Sequence, residues 1–229
     1  MKKKIFVVAA LGLAAVFVAG GLVASNMGFK ANYSLQAASV GVSNSGTQGL
    51  ALPYNHQTSI VTAEDLIADI NGDGPAACLT TSCVASVSRH VRTTDAPEFY
   101  TGGSGVNFTI TPGDGYIVVV NTDINYIIVG SHNPTLAIQL DSSGVNGSAS
   151  GTQLWSYPYH STAVNAEDLI NEINLAGGAG AVASVSHRIR ATDAPEFYTG
   201  GSGTNFTLVP GESYFIVMNT ATSFVPAHY

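Results

Sequence analysis

The twelve-residue string TDAPEFYTGGSG occurs twice, at 94–105 and 192–203, and each copy runs on into Asn-Phe-Thr at 107–109 and 205–207. Sparser matches carry the duplication along the chain. Tyr33-Ser34-Leu35 corresponds to Ile138-Gln139-Leu140. Gly46-Thr47-Gln48 and Leu52-Pro53-Tyr54 correspond to Gly151-Thr152-Gln153 and Tyr157-Pro158-Tyr159, all at a spacing of 105. Ala63 to Ile67 returns at Ala166 to Ile170, and Val129-Gly130-Ser131-His132 is matched by Val225-Pro226-Ala227-His228. The fold must therefore be built twice, in modules of residues 29–132 and 133–229. Two copies are too few for a solenoid, so the expectation is a tandem two-domain protein.

Each module reads as mainly β, a small sandwich or sheet with one short α-helix. Thr62 and Asp65 form a short-armed capping box, and Ala63, Leu66, Ile67 and Ile70 make one apolar stripe at helical spacing. Asn165, Asp168 and the stripe Ala166, Leu169, Ile170, Ile173 repeat the device. Strand signals follow at 84–92, 98–101, 108–111, 116–121 and 126–130, separated by Gly, Pro and Asp, with equivalents in the second copy. Alternation along the first of these places Arg89 with Val87 and Val91, and His90 with Ser88 and Arg92; in the second copy His187 and Arg188 stand in the opposite order. A fixed catalytic or metal-binding histidine is not expected to change faces in this way.

Lys2, Lys3 and Lys4 precede an apolar or glycine run from Ile5 to Ala24, then Ser25 and Asn26. This is the pattern of a secretory signal peptide over residues 1–25, an apolar signal helix; the alternative is a retained membrane anchor. No cysteine follows the run, which excludes a lipoprotein anchor, and Gly28-Phe29 lies on the wrong side of it for type IV pilin processing. Cys78 and Cys83 are the only cysteines. In an exported protein the default is a small-loop disulfide, a local clip.

Charge excludes one class. The chain has 8 Lys+Arg against 15 Asp+Glu, net −7, and after residue 30 its fixed positive charges are Arg89, Arg92, Arg188 and Arg190. Nucleic-acid binding needs a basic face that is absent. Membrane contact is expected only through the N-terminal segment if it is not cleaved.

The duplicated hairpin residues Asp95, Glu98 and Tyr100, with Asp193, Glu196 and Tyr198, hold the nearest approach to a paired-carboxylate site. A glycosidase would need such a pair in a cleft. The plainer reading is a turn in which Asp accepts backbone bonds and Glu pairs with Arg92 or Arg190. Asp69, Asn71, Asp73 and Gly74 match the opening of a calcium loop, yet Thr80 stands where the bidentate acid belongs, so calcium is an expectation for the first copy only. His56 with His160 and His132 with His228 recur without metal spacing. No nucleophile elbow occurs, the glycine loops do not open helices, and no catalytic residue or other cofactor is assigned.

The SNMGFK start, Leu52-Pro53-Tyr54 before a short helix, the Pro-Gly-x-x-Tyr strand entry at 112–116 and the junction Val129-Gly130-Ser131-His132-Asn133-Pro134 resemble a family of uncharacterised exported repeat proteins of Gram-negative bacteria. The resemblance covers essentially the whole mature chain. It implies export and β-rich modules and transfers no site residues.

The sequence thus points to a secreted or surface-exposed, non-enzymatic structural or adhesive protein that self-associates. Its filament would form if the contact between modules recurred between chains, with an N-terminal strand carrying Phe29, Ala31, Tyr33 and Leu35 completing a neighbour's sheet. The alternative is a glycan-binding module using Tyr54, Tyr159, Trp155, Tyr100 and Tyr198, and the third reading is an extracellular hydrolase.

Overall fold

A computed structural model describes residues 28–39, 41–131 and 133–227; residues 1–25, where a signal peptide is expected, and His132 and His228 lie outside the described residues. Among these the protein is mainly β, with four antiparallel sheets and two α-helices. Among the described residues no helix is long and apolar enough to cross a membrane. The first half runs β1 (Gly28–Leu35), β2 (Thr47–Ala51), β3 (Asn55–His56), α1 (Ala63–Asp73), β4 (Val84–Val91), β5 (Ala96–Tyr100), β6 (Gly115–Val120) and β7 (Ile124–Ser131). The second runs β8 (Ile138–Leu140), β9 (Thr152–Ser156), α2 (Ala166–Gly177), β10 (Val182–Arg188), β11 (Pro195–Tyr198), β12 (Ser213–Met218) and β13 (Thr222–Phe224).

The large sheets have the same order, β2-β6-β4-β5 and β9-β12-β10-β11, and each half adds a small sheet, β1-β7-β3 or β8-β13. Period-two alternation puts Leu50, Val87, Tyr100, Tyr116 and Val118 on one face of the first large sheet. There they form a core with the apolar stripe of α1 and with Tyr33, Leu35, Tyr126 and Ile128 of the small sheet. Trp155, Val185, Tyr198, Tyr214 and Ile216 do the same over α2.

Both helices start as their caps dictate. The Thr62 hydroxyl accepts from Asp65 N while Asp65 accepts from Thr62 N, and Asn165 accepts from Asp168 N. The Thr62 hydroxyl and the N–H groups of Thr62 and Val61 donate to the Asp65 carboxyl and hold it below its ordinary range.

Two expected strands behave differently. Residues 108–111 join no ladder; Phe108 O and Ile110 N bond Ala63 N and Val61 O, so the segment braces the entry to α1. The segment expected to complete a neighbour's sheet, Phe29 to Leu35, pairs over eight residues with β7 of its own chain, and Tyr33 and Leu35 are buried in its own core. β1 is the edge of its sheet, so its own chain takes up one side of the strand and the side chains of Tyr33 and Leu35, which are not free to enter a neighbour's core.

Candidate functional site

The duplicated hairpin is the first place to look for chemistry. At its turns Asp95 and Asp193 adopt left-handed backbone, φ 53° and 59°, a conformation that Asp tolerates well. Glu98 accepts from Arg89 Nε at 2.8 Å, and Glu196 Oε2 lies 3.0 Å from His187 Nε2. His90 Nε2 stands 3.1 Å from Asp95 Oδ1, while Arg188 Nε donates to Asp193 at 3.0 Å. The exchanged His and Arg have therefore exchanged carboxylates, each register position keeping its acidic partner. The expectation that Glu98 and Glu196 pair with Arg92 and Arg190 is incorrect, because the turn carries those arginines past the strand end and toward the other half.

The rest of the repeated string is accounted for locally. Tyr100 and Tyr198 are buried. A Cβ on Gly105 or Gly203 would sit 2.2 Å from the carbonyl oxygen of Phe99 or Phe197, and both glycines have φ of +91°, so no other residue fits. Asn107 and Glu64 clasp each other at the helix start: Glu64 N donates to Asn107 Oδ1 and Asn107 Nδ2 to Glu64 Oε2. Asn205 and Glu167 repeat the clasp, which explains the second Asn-Phe-Thr.

Asp69, Asn71 and Asp73 are not brought together. All three lie in α1, where i and i+4 share a face and i+2 points away. Asp69 accepts from the Tyr126 hydroxyl and Asp73 from Ile127 N, both in β7. Asn71 turns the other way, accepts from Cys83 N and Val84 N, and donates to Ser82. Burial raises the Asp69 carboxyl against the effect of the Tyr126 bond. Among the described residues no group of three or more His, Cys, Asp or Glu could hold a metal. Cys78 and Cys83 form the expected disulfide.

Where the halves meet, contacts recur with the halves exchanged. Asn44 N donates to Arg190 O and Ala149 N to Arg92 O; Ala51 N donates to Gly211 O and Ser156 N to Gly113 O. The Tyr54 hydroxyl donates to Ser156 O, and the Tyr159 hydroxyl to Ala51 O. Tyr54 belongs to the core of the second half, and Tyr159 packs on that of the first. Arg92 donates to Gln139 O and Asp141 at the edge of β8, besides its own Asp114. Arg190 donates to Ser34 O and the Tyr33 hydroxyl in β1, besides Glu212.

These pairs define a pseudo-two-fold axis, and the junction is isologous: the same patch on both halves, used once. The module contact expected to recur from chain to chain is thereby closed on itself. Two clefts flank the axis at equivalent places. One, of about 210 Å³, is lined by Arg89, His90, Arg92, Asp114, Gly115 and Leu154. In the other, burial disfavours the charged form of His187, but Glu212 and Glu196 outweigh it and raise its pKa above the ordinary value. Burial likewise acts to raise Glu212, yet His187 and Arg190 hold it below its usual range. The cations here are matched by carboxylates, so the clefts join the halves through ion pairs.

The aromatic residues expected to meet glycans are largely unavailable. Tyr54, Tyr100, Trp155 and Tyr198 are buried, and Tyr159 packs on Phe29 at 4.7 Å between ring centroids. A sugar needs an open ring face. Asp95 lies on an exposed turn, and Asp193 is held by Arg188, Ser45 and Asn44, so neither stands in a cleft beside a second acid.

Sequence reasoning overlooked Tyr54 and Tyr159 as cross-half plugs and Arg92 and Arg190 as cross-half ties. Their only signal was a polar or aromatic residue recurring at equivalent positions in both copies, Tyr54 with Tyr159 and Arg92 with Arg190. Fold and junction together define a class: a mainly antiparallel β protein whose two halves close on each other about a pseudo-two-fold axis. No family model, curated protein or solved structure matches this chain.

Proposed function

We propose that the chain is an exported, non-enzymatic structural or adhesive protein of the cell surface, made of two tandem copies of one β module. The observation that carries this reading is the fate of the duplicated polar residues. Asp95, Glu98, Asn107, Arg92 and their counterparts hold turns, clasp helix ends or join the halves. Arg92 and Arg190, which do face the clefts beside the axis, are taken up there by Gln139 O and Asp141 and by Ser34 O and the Tyr33 hydroxyl of the other half. The Cys78–Cys83 disulfide accords with an oxidising compartment. Mass spectrometry of the native N-terminus and immunolabelling of intact cells test the reading together. A start near residue 26 and surface label are expected; a full-length chain retained inside the cell would overturn it.

A further inference from the structure

We infer that Phe99 and Phe197 are two equivalent self-association patches through which copies of this chain join end to end. The inference rests on the structural reading above and supplies the contact that the closed junction does not. In the first sheet Phe99 lies opposite Ser88, Ser88 opposite Ile117, and Ile117 opposite Gly49. These four share one face, and at Gly49 that face meets Ser213 of the other half. Phe197, Ser186 and Phe215 line the matching face of the second sheet. Phe99 and Phe197 therefore continue the surface with which the halves already bind each other.

They lie just past its end. β4 packs on β9 and β2 on β10, whereas β5 and β11 stand one strand further out. Phe99 is 54% exposed and Phe197 53%, and Phe99 is flanked by exposed Pro97 and Val106 around a hollow of about 370 Å³. Beside them Glu98 and Glu196 are already paired with Arg89 and His187, and at the second patch Thr204 stands where the first has Val106. A half-exposed phenylalanine retained at both equivalent places is the kind of aromatic anchor that associating surfaces use.

Strand addition is not the route. Pro97 and Pro195 lack an N–H, and the Phe99 and Phe197 carbonyls accept from Val106 N and Thr204 N at 3.0 Å. The joint is side-chain packing between patches of two copies. Because one chain carries two such patches, a pairing leaves each copy with a second one free, and growth stays open while the internal junction remains closed.

The test is the size distribution of the protein as recovered from its producing cell, measured by light scattering and analytical ultracentrifugation over rising concentration. Wild type is expected to form chains that lengthen with concentration and with salt, since salt screens repulsion between acidic copies. Phe99→Glu or Phe197→Glu alone is expected to stop at dimers, and the double variant to stay monomeric. Both side chains are half exposed, so thermal melting should be preserved; Phe99→Ser with Phe197→Ser supplies a milder pair with the same expected order. A wild type that is monomeric at every concentration, or a double variant that grows as wild type does, overturns the inference. Either result leaves the structural reading standing if the surface label persists, whereas loss of that label defeats the reading itself.

Discussion

Ten residues separate α1 from β4, and four separate α2 from β10. The longer connection holds a 3-10 turn, Ala76–Leu79, and the disulfide; the shorter closes directly. The two helix ends solve one problem, joining a helix to a buried strand, with the same side chain. Asn174 accepts from Val182 N, and Asn71 accepts from Val84 N and also from Cys83 N. The inserted loop has thus been tied to an anchor that both halves share, which shows how a duplicated module accommodates extra chain without moving its core. A second difference runs the other way: β1 pairs β7 over eight residues, and β8 pairs β13 over three.

The comparison is broken hardest at the axis itself. Gly115 and Ser213 are equivalent, but a Cβ on Gly115 would lie 2.5 Å from Ser213 Cβ and 2.9 Å from Trp155 O. Gly115→Val should cost about 3 kcal/mol or more by forcing the halves apart, read from urea unfolding. Ser213→Ala, which loses one buried bond to Tyr116 O, should cost about 1 kcal/mol. Equal losses at the two sites would deny the asymmetry.

The shared helix anchors give the next effect. Asn71→Ala leaves two buried N–H groups unpaired and should destabilise by about 2–3 kcal/mol, against about 1 kcal/mol for Asn174→Ala. Replacing both Cys78 and Cys83 by Ser should cost about 2 kcal/mol or less, because a short loop gains little from closure. Faster hydrogen exchange should then be confined to residues 74–83; spread into β10 would show that the loop supports both halves.

The smallest effect is a pH dependence that one half has and the other lacks. The folded-state pKa of His187 is raised, so its contribution is fully present below the ordinary histidine value, about 6.5, and is lost as pH rises through the raised value. Arg89, a guanidinium, occupies the equivalent position. Urea midpoints of wild type should decline across that window, and His187→Arg should remove this part of the decline. An unchanged slope would place the titration elsewhere.

Much of the fold was readable because it is local. Helix caps, apolar stripes and period-two strands need only neighbouring residues, and β4 and β6 were expected within about two residues of where they lie. The calcium pattern at Asp69, Asn71 and Asp73 reads as a loop because a loop motif and a helix end can share the same letters, whereas in α1 Asn71 turns away from Asp69 and Asp73. Sequence proximity pairs Arg92 and Arg190 with Glu98 and Glu196 of their own hairpins, whereas Asp141 and Tyr33, which they reach across the junction, lie 49 and 157 residues away. The hairpin residues were found, but their role was visible only once the carboxylate exchange between Arg89 and His187 could be seen in three dimensions.

The exchange of Tyr54 and Tyr159 has a thermodynamic consequence. Each half supplies one ring to the other's core or its margin, so neither half has a complete interior while the other is unfolded. Heat should therefore melt the described chain in a single transition whose calorimetric and van't Hoff enthalpies agree. What the sequence writes as two units, the chain folds and loses as one.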